Sequence, residues 1–161
     1  MSHHLVLSIV GADRLPDSGY MRAKVAQEKA IKAATTPYTI LRATQFFEYI
    51  RGIADVYSQG NTARLSNVLM QPVAADDVAD TIVRTLLAPP SNQTINLAGP
   101  DRLRLDELAR RLFAADHDPR TITTDPEAGY FGAKVNDTSL IPIDDALIGD
   151  THFQTWLDQK R

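Results

Sequence analysis

"HLVLSIVGADRLPDSGYMRAKVAQEKAIKAATTPYTILRA", residues 4–43, holds two short apolar runs on either side of a polar loop and a segment of helical period. Residues 4–10 are β-branched or aliphatic with one serine, the pattern of a buried strand. Gly11 ends the run, and the loop to Gly19 contains Pro16. Asp17 or Ser18 then stands where a helix N-cap belongs. The helix runs to about Ala34, with small residues at 23, 26, 30 and 34 that would let it lie close on a sheet. Its other face places Lys24, Glu28 and Lys32 at the i, i+4 spacing of surface ion pairs. Pro37 stops the helix, and residues 38–43 read as a second strand. Strand, helix and strand in about 40 residues is a βαβ unit, so the two strands are expected to be parallel with a right-handed crossover.

Further along, residues 44–58 read as helical and 71–75 as a short extended segment. Asp76 is the expected cap of a helix that Pro89 and Pro90 end. Residues 93–100 form another strand with a Gly-Pro stop. Residues 104–116 make an amphipathic helix with Leu105, Leu108 and Leu112 on one side. Residues 119–125 read as a strand, and 151–158 as a short closing helix around Phe153 and Trp156. The expectation is one α/β domain over residues 1–161, with a distinct smaller lobe after about residue 60.

Composition narrows the classes. The 161 residues are 43% hydrophobic with a net charge of −3 and no cysteine. That suits one packed core, and it excludes disulfides and zinc-thiolate sites. The basic residues are dispersed, and Arg110 and Arg111 share their helix with Asp106 and Glu107, so nothing favours nucleic acid or an anionic membrane. No apolar run approaches the roughly 20 residues that cross a bilayer. With no signal peptide at the N-terminus, the expected location is the cytoplasm. The four histidines lack ligand spacing, and Asp76 and Asp77 suit the N-terminal end of a helix dipole, so no metal site is expected.

The chemistry sits in residues 8–24. Tyr20 and Lys24, one helical turn apart, place a phenol beside a cation, which favours the tyrosinate and suits a proton shuttle. Ser8 lies on the preceding strand, near the carboxyl end where open α/β sheets bind ligands. Ser8 and Tyr20 would then share one carbonyl oxygen.

Ser8, Tyr20-x-x-x-Lys24, "YTILRATQF", "QPVAADDVADTI" and "TINLAGP" resemble, in order, the carboxyl-terminal part of short-chain dehydrogenase/reductases. The resemblance is nearest to the atypical, NmrA-like NAD(P)-binding branch. It implies a partial Rossmann-like fold, doubly wound on a mainly parallel sheet, with a small substrate lobe. It also implies an NAD(P)-dependent oxidoreductase in which Ser8 orients the substrate, Tyr20 is the acid/base and Lys24 supports Tyr20 and the nicotinamide ribose. Ala43-Thr44 occupies the turn near the nicotinamide where the family usually has Pro-Gly. Gln45, Phe46 and Phe47 follow as pocket candidates. "GYFG", 129–132, reads equally as a lid over a pocket or as a plain turn.

One departure is large. The eight glycines stand at 11, 19, 52, 60, 99, 129, 132 and 149, and none builds the G-x-x-G-x-x-G phosphate loop with which family members begin. The resemblance therefore implies an incomplete version that binds NAD(P) weakly. The alternatives are a non-enzymatic NmrA-like sensor or protein-binding module, or an inactive relic. Strand 4–10 would lack its outer neighbour, so a homo-oligomer or docking onto a separate nucleotide-binding half is expected.

Overall fold

The structure, a computed structural model, describes residues 3–160. β1 (His4–Ile9) leads through a 3-10 turn to α1 (Gly19–Ala33), and β2 (Tyr38–Ala43) follows. β1 and β2 are parallel with His4 opposite Tyr38 and Ile9 opposite Ala43, as a βαβ unit requires. A second 3-10 turn enters α2 (Ile50–Val56), and β3 (Ser58–Gln59), β4 (Thr62–Leu65) and β5 (Leu69–Met70) come next. Then come α3 (Ala75–Leu87), β6 (Thr94–Ala98), β7 (Leu103–Arg104) and α4 (Leu105–Ala115). β8 (Thr121–Thr124), β9 (Ala146–Ile148) and α5 (Phe153–Gln159) complete the chain.

The main sheet has the order β1-β2-β6-β9, all parallel. A mainly parallel sheet with helices on both faces is the Rossmann-like architecture that the sequence implies. α3 covers one face, where Leu41, Ala43, Val73, Val78 and Leu97 form a cluster with Leu5, Leu7 and Ile95 against it. α1 covers the other face over β1 and β2. A second sheet pairs β4 with β3 and β8, and the core beside it joins Ile50, Leu65, Met70, Leu108, Leu112 and Phe153; β6 and β9, although beyond residue 60, belong to the main sheet rather than to a separate lobe.

Three sequence readings are corrected here. The alanines at 23, 26 and 30 face solvent, and the buried side of α1 runs through Met21, half-buried Val25 and Glu28. Glu28 is 3% exposed and pairs with Arg42 of β2, so it forms no surface pair with Lys24 or Lys32. The cap of α3 is Ala74, with Asp76 and Asp77 in the first turn. The Glu48 carboxylate accepts from the Ala75 amide instead, at 3.2 Å.

β1 is an edge strand of the described sheet. His4 N donates to Pro37 O and Val10 N to Ala43 O, so the even-numbered residues bond to β2. In a parallel strand, N–H and C=O of one residue point the same way. Those of Leu5, Leu7 and Ile9 therefore point away from the sheet. Lys24 Nζ donates to Leu7 O at 3.1 Å, so a lysine from α1 blunts the middle of an edge that carries none of its own.

Candidate active site

Ser18 caps α1 in extended conformation, its Oγ accepting from Met21 N at 3.4 Å. This cap starts the helix one residue before Tyr20 and fixes which way its first turn faces. Tyr20 and Lys24 consequently reach the carboxyl ends of β1 and β2, where they line a cleft of about 440 Å³. Leu7, Ser8 and Ile9 of β1, the stretch from Ala43 to Phe46 after β2, and Tyr49, Gly52, Ile53, Tyr130 and Phe131 complete its lining. Tyr20 is 59% exposed. It also borders a neighbouring cleft lined by Ile9, Ser18, Met21, Tyr130 and Phe131.

The sequence-predicted residues fare differently. Ser8 is at the cleft, but it is buried and its Oγ donates to Glu28 Oε1 at 2.6 Å. Glu28 also receives Arg42 Nε at 2.8 Å and Nη2 at 2.7 Å, and Arg42 Nη1 reaches Asp13 at 3.0 Å. Burial pushes the Glu28 carboxyl up, but the Arg42 guanidinium and the Ser8 hydroxyl outweigh it and hold Glu28 below its ordinary range. The Ser8 hydroxyl is thus engaged by a residue about two helical turns from Tyr20.

Ala43 and Thr44 form the turn after β2, and their backbone is already used: Ala43 O accepts from Val10 N and Thr44 N donates to Leu97 O. Thr44 Oγ1 donates to Gln71 O at 2.7 Å. Gln45 and Phe46 line the cleft. Phe47 does not: it is fully buried between Phe153 and Trp156, with ring centroids 5.2 and 5.4 Å away. Adjacent residues entering a helical turn point in different directions, so one phenylalanine faces the cleft and the next faces the core.

Residues 129–132, which the sequence reads equally as a lid or a plain turn, form a tight turn whose aromatics line the cleft. Tyr130 N and O bond to Ala133 O and N, which makes Phe131-Gly132 a two-residue turn. Phe131 has φ 45° and Gly132 φ 81°, the two positive values a type I′ turn requires. Glycine takes that conformation freely, but a bulky aromatic rarely does. Phe131 is held by its amide donating to Tyr57 Oη at 2.6 Å and by edge-to-face contact with Tyr130 at 4.9 Å. Both rings face the cleft as a result.

Lys24 is the one charged side chain among the described residues that line the cleft. Burial drives the Tyr130 phenol well above its ordinary value, so it stays protonated and serves as a polar wall. The described residues contain no cluster of His, Cys, Asp or Glu able to hold a metal ion, and no helix long and apolar enough to cross a membrane.

No family model matches the chain, and no curated protein matches it. Its fold is similar to that of several solved structures. An NADPH-dependent quinone oxidoreductase from Escherichia coli matches with TM-score 0.73 at 17% identity, over 99% of this chain and 68% of that one. A nucleoside-diphosphate-sugar epimerase from Staphylococcus aureus matches with TM-score 0.63 at 15% identity, over 98% of this chain and 64% of its own. A dTDP-4-dehydrorhamnose reductase from Bacillus anthracis, in complex with NADP, matches with TM-score 0.57 at 12% identity, over 78% and 51%. At these identities the likeness shows a Rossmann-like fold of the kind that NAD(P)-binding reductases and epimerases have. Function has to be argued from the site.

Proposed function

We propose that the cleft is the reducing site of an atypical, NmrA-like short-chain dehydrogenase/reductase. The observation that carries this reading is the convergence of Tyr20 and Lys24 on a mostly apolar cleft at the carboxyl ends of two parallel strands. That is where open α/β sheets bind ligands. The volume suits a small ring compound. The nicotinamide end of NAD(P)H fits the cleft, beside Lys24 and the turn at Ala43 and Thr44; no glycine-rich cradle for its pyrophosphate exists among the described residues. When bound, NAD(P)H supplies hydride.

The chain's own residues supply the rest. The Tyr20 hydroxyl donates a proton to the carbonyl oxygen of the substrate. Lys24, held by Leu7 O and by Gln27 Oε1 at 3.2 Å, keeps a fixed positive charge near that oxygen as negative charge develops there. Phe46, Tyr49 and Phe131 give the substrate ring an aromatic wall to lie against. Ser8 acts through Glu28, by fixing the helix that carries Tyr20 and Lys24.

Turnover of NADPH with a panel of small ring ketones tests the reading. Tyr20→Phe should lower the rate by about 10²–10⁴-fold with an unchanged unfolding profile, the usual contribution of a general acid. Equal turnover in the variant would overturn it.

The free edge of β1 supports a reading about assembly. Leu5, Leu7 and Ile9 present outward amides and carbonyls, and we infer that this edge pairs with a second strand from another copy or a separate nucleotide-binding half. Light scattering at tens of micromolar should show an assembly. A monomer whose Leu5 and Ile9 amides are protected from exchange would contradict it.

A further inference from the structure

Two glutamines are buried near the main sheet, and they are treated differently. Gln71 is satisfied: its Nε2 donates to Gly99 O at 2.9 Å, and its Oε1 accepts from Arg102 Nε at 3.0 Å. Gln45, 5% exposed, is not: neither Nε2 nor Oε1 has a hydrogen-bond partner. The Tyr130 phenol is its polar neighbour, near enough to interact with the amide without forming a well-aligned hydrogen bond. Native structures seldom leave a buried amide unpaired, because the desolvation is then uncompensated. Gln45 is among the residues lining the cleft that holds Tyr20 and Lys24, so an occupant of that cleft can supply the partners its amide lacks once the side chain turns toward it.

The remaining lining defines that occupant. Phe46 and Tyr49 are stacked, with centroids 5.6 Å apart and planes 24° apart, and Phe131 stands edge-on to Tyr130. Such walls suit a flat ring. No carboxylate lines the cleft among the described residues, and its one cation is already bonded to Leu7 O and Gln27. An uncharged compound is favoured over a cation. A glutamine amide presents one N–H and one C=O side by side. The complement is an edge with C=O and N–H side by side, as in a lactam. A carboxylate would set an oxygen against the Gln45 carbonyl, and a bare hydrocarbon edge would leave both groups unpaired.

We propose that the cleft takes a flat, uncharged ring compound with a lactam-type donor–acceptor edge paired to Gln45, its reducible carbonyl lying toward Tyr20. The carbonyl half rests on the reductase reading; the Gln45 half is tested without it. Selectivity should follow, since a site built to hydrogen-bond a ligand group discriminates strongly against analogues that lack it.

Three bicyclic probes of one size decide this: oxindole, N-methyloxindole, and 1-indanone, which has the ketone without the amide. Binding to the whole chain is followed by protein amide shifts in NMR. Oxindole should bind about 10- to 100-fold more tightly than N-methyloxindole, the range for leaving a buried partner unpaired. In Gln45→Met the ratio should fall to about one while 1-indanone binds as before. Should Gln45→Met fail to fold, the two oxindoles on the unaltered chain still decide. A ratio near one on that chain overturns the proposal; if 1-indanone nevertheless shifts Tyr20 and Phe131, the reductase reading stands. Absence of any probe from the cleft overturns both.

Discussion

Successive turns of α1 carry charged or polar residues of similar sequence character toward the same sheet, yet they live in opposite surroundings. Tyr20 and Lys24 open onto the cleft, Tyr20 largely exposed and Lys24 half-buried. Glu28, one turn on, is closed off by Arg42 and Ser8 at 2.6–2.8 Å. The difference shows how one helix divides its labour. The buried turn fixes the register of helix against sheet, and the open turn then presents a phenol and an ammonium in a set direction without having to stabilise anything itself.

Stability measurements can break that division, and Glu28→Ala should do most. It removes two of the three hydrogen bonds that hold the half-buried Arg42 guanidinium and leaves it only the exposed Asp13 carboxylate, so the loss should be about 3 kcal/mol, the low end for breaking a buried pair. Urea unfolding would show it, and a loss below about 1 kcal/mol would mean that Glu28 is not a structural anchor.

Glu28→Gln keeps shape and the Ser8 contact but loses the charge, so a smaller loss, about 1–3 kcal/mol, is expected. Its sharper signature is in acid. The folded carboxyl lies below its ordinary value of 4.5, so its contribution is full above about pH 4.5 and disappears as pH falls through the lower folded value. Stability of the unaltered chain should therefore decline along that limb more steeply than that of Glu28→Gln. Parallel acid limbs would refute the assignment.

Lys24→Ala removes one donor from Leu7 O, leaving that carbonyl to water, and should cost under about 1 kcal/mol. It should also increase self-association, since the edge of β1 loses the cationic cover that Lys24 gives it. The smallest effect is expected for Tyr20→Phe, within about 0.5 kcal/mol of the unaltered chain. A Tyr20→Phe loss as large as that of Glu28→Ala would erase the distinction between the two turns.

Local signals made the βαβ unit readable. Two aliphatic runs, the Ser18 cap and the stop at Pro37 are all written in neighbouring residues. The leucine face of α4 was readable for the same reason: Leu105, Leu108 and Leu112 repeat at helical period and are all buried. Glu28 was misread because its partner is Arg42, fourteen residues away on another element, and spacing within a helix reports only neighbours on that helix. The alanine stripe misled similarly, since small size permits burial without compelling it. β3 and β9 have two and three residues, so no period could emerge for them, whereas β8, "TITT", falls inside the strand read over residues 119–125. In the site, Tyr20, Lys24 and the Gln45-Phe46 pair were legible. Tyr49 and the unsatisfied state of Gln45 were not, because both depend on how distant segments meet.

The most direct test of the cleft as a nicotinamide site is an amide-resolved NMR titration with NADPH. The account predicts shifts concentrated at Leu7, Ile9, Tyr20, Thr44, Phe46 and Phe131. Affinity should be no tighter than roughly millimolar, about −4 kcal/mol, because the described residues offer no phosphate cradle. Shifts centred instead on the groove between α3 and β9, around Asp80, Arg84 and Leu147, would contradict it. So would low-micromolar binding with the β1–β2 end unaffected.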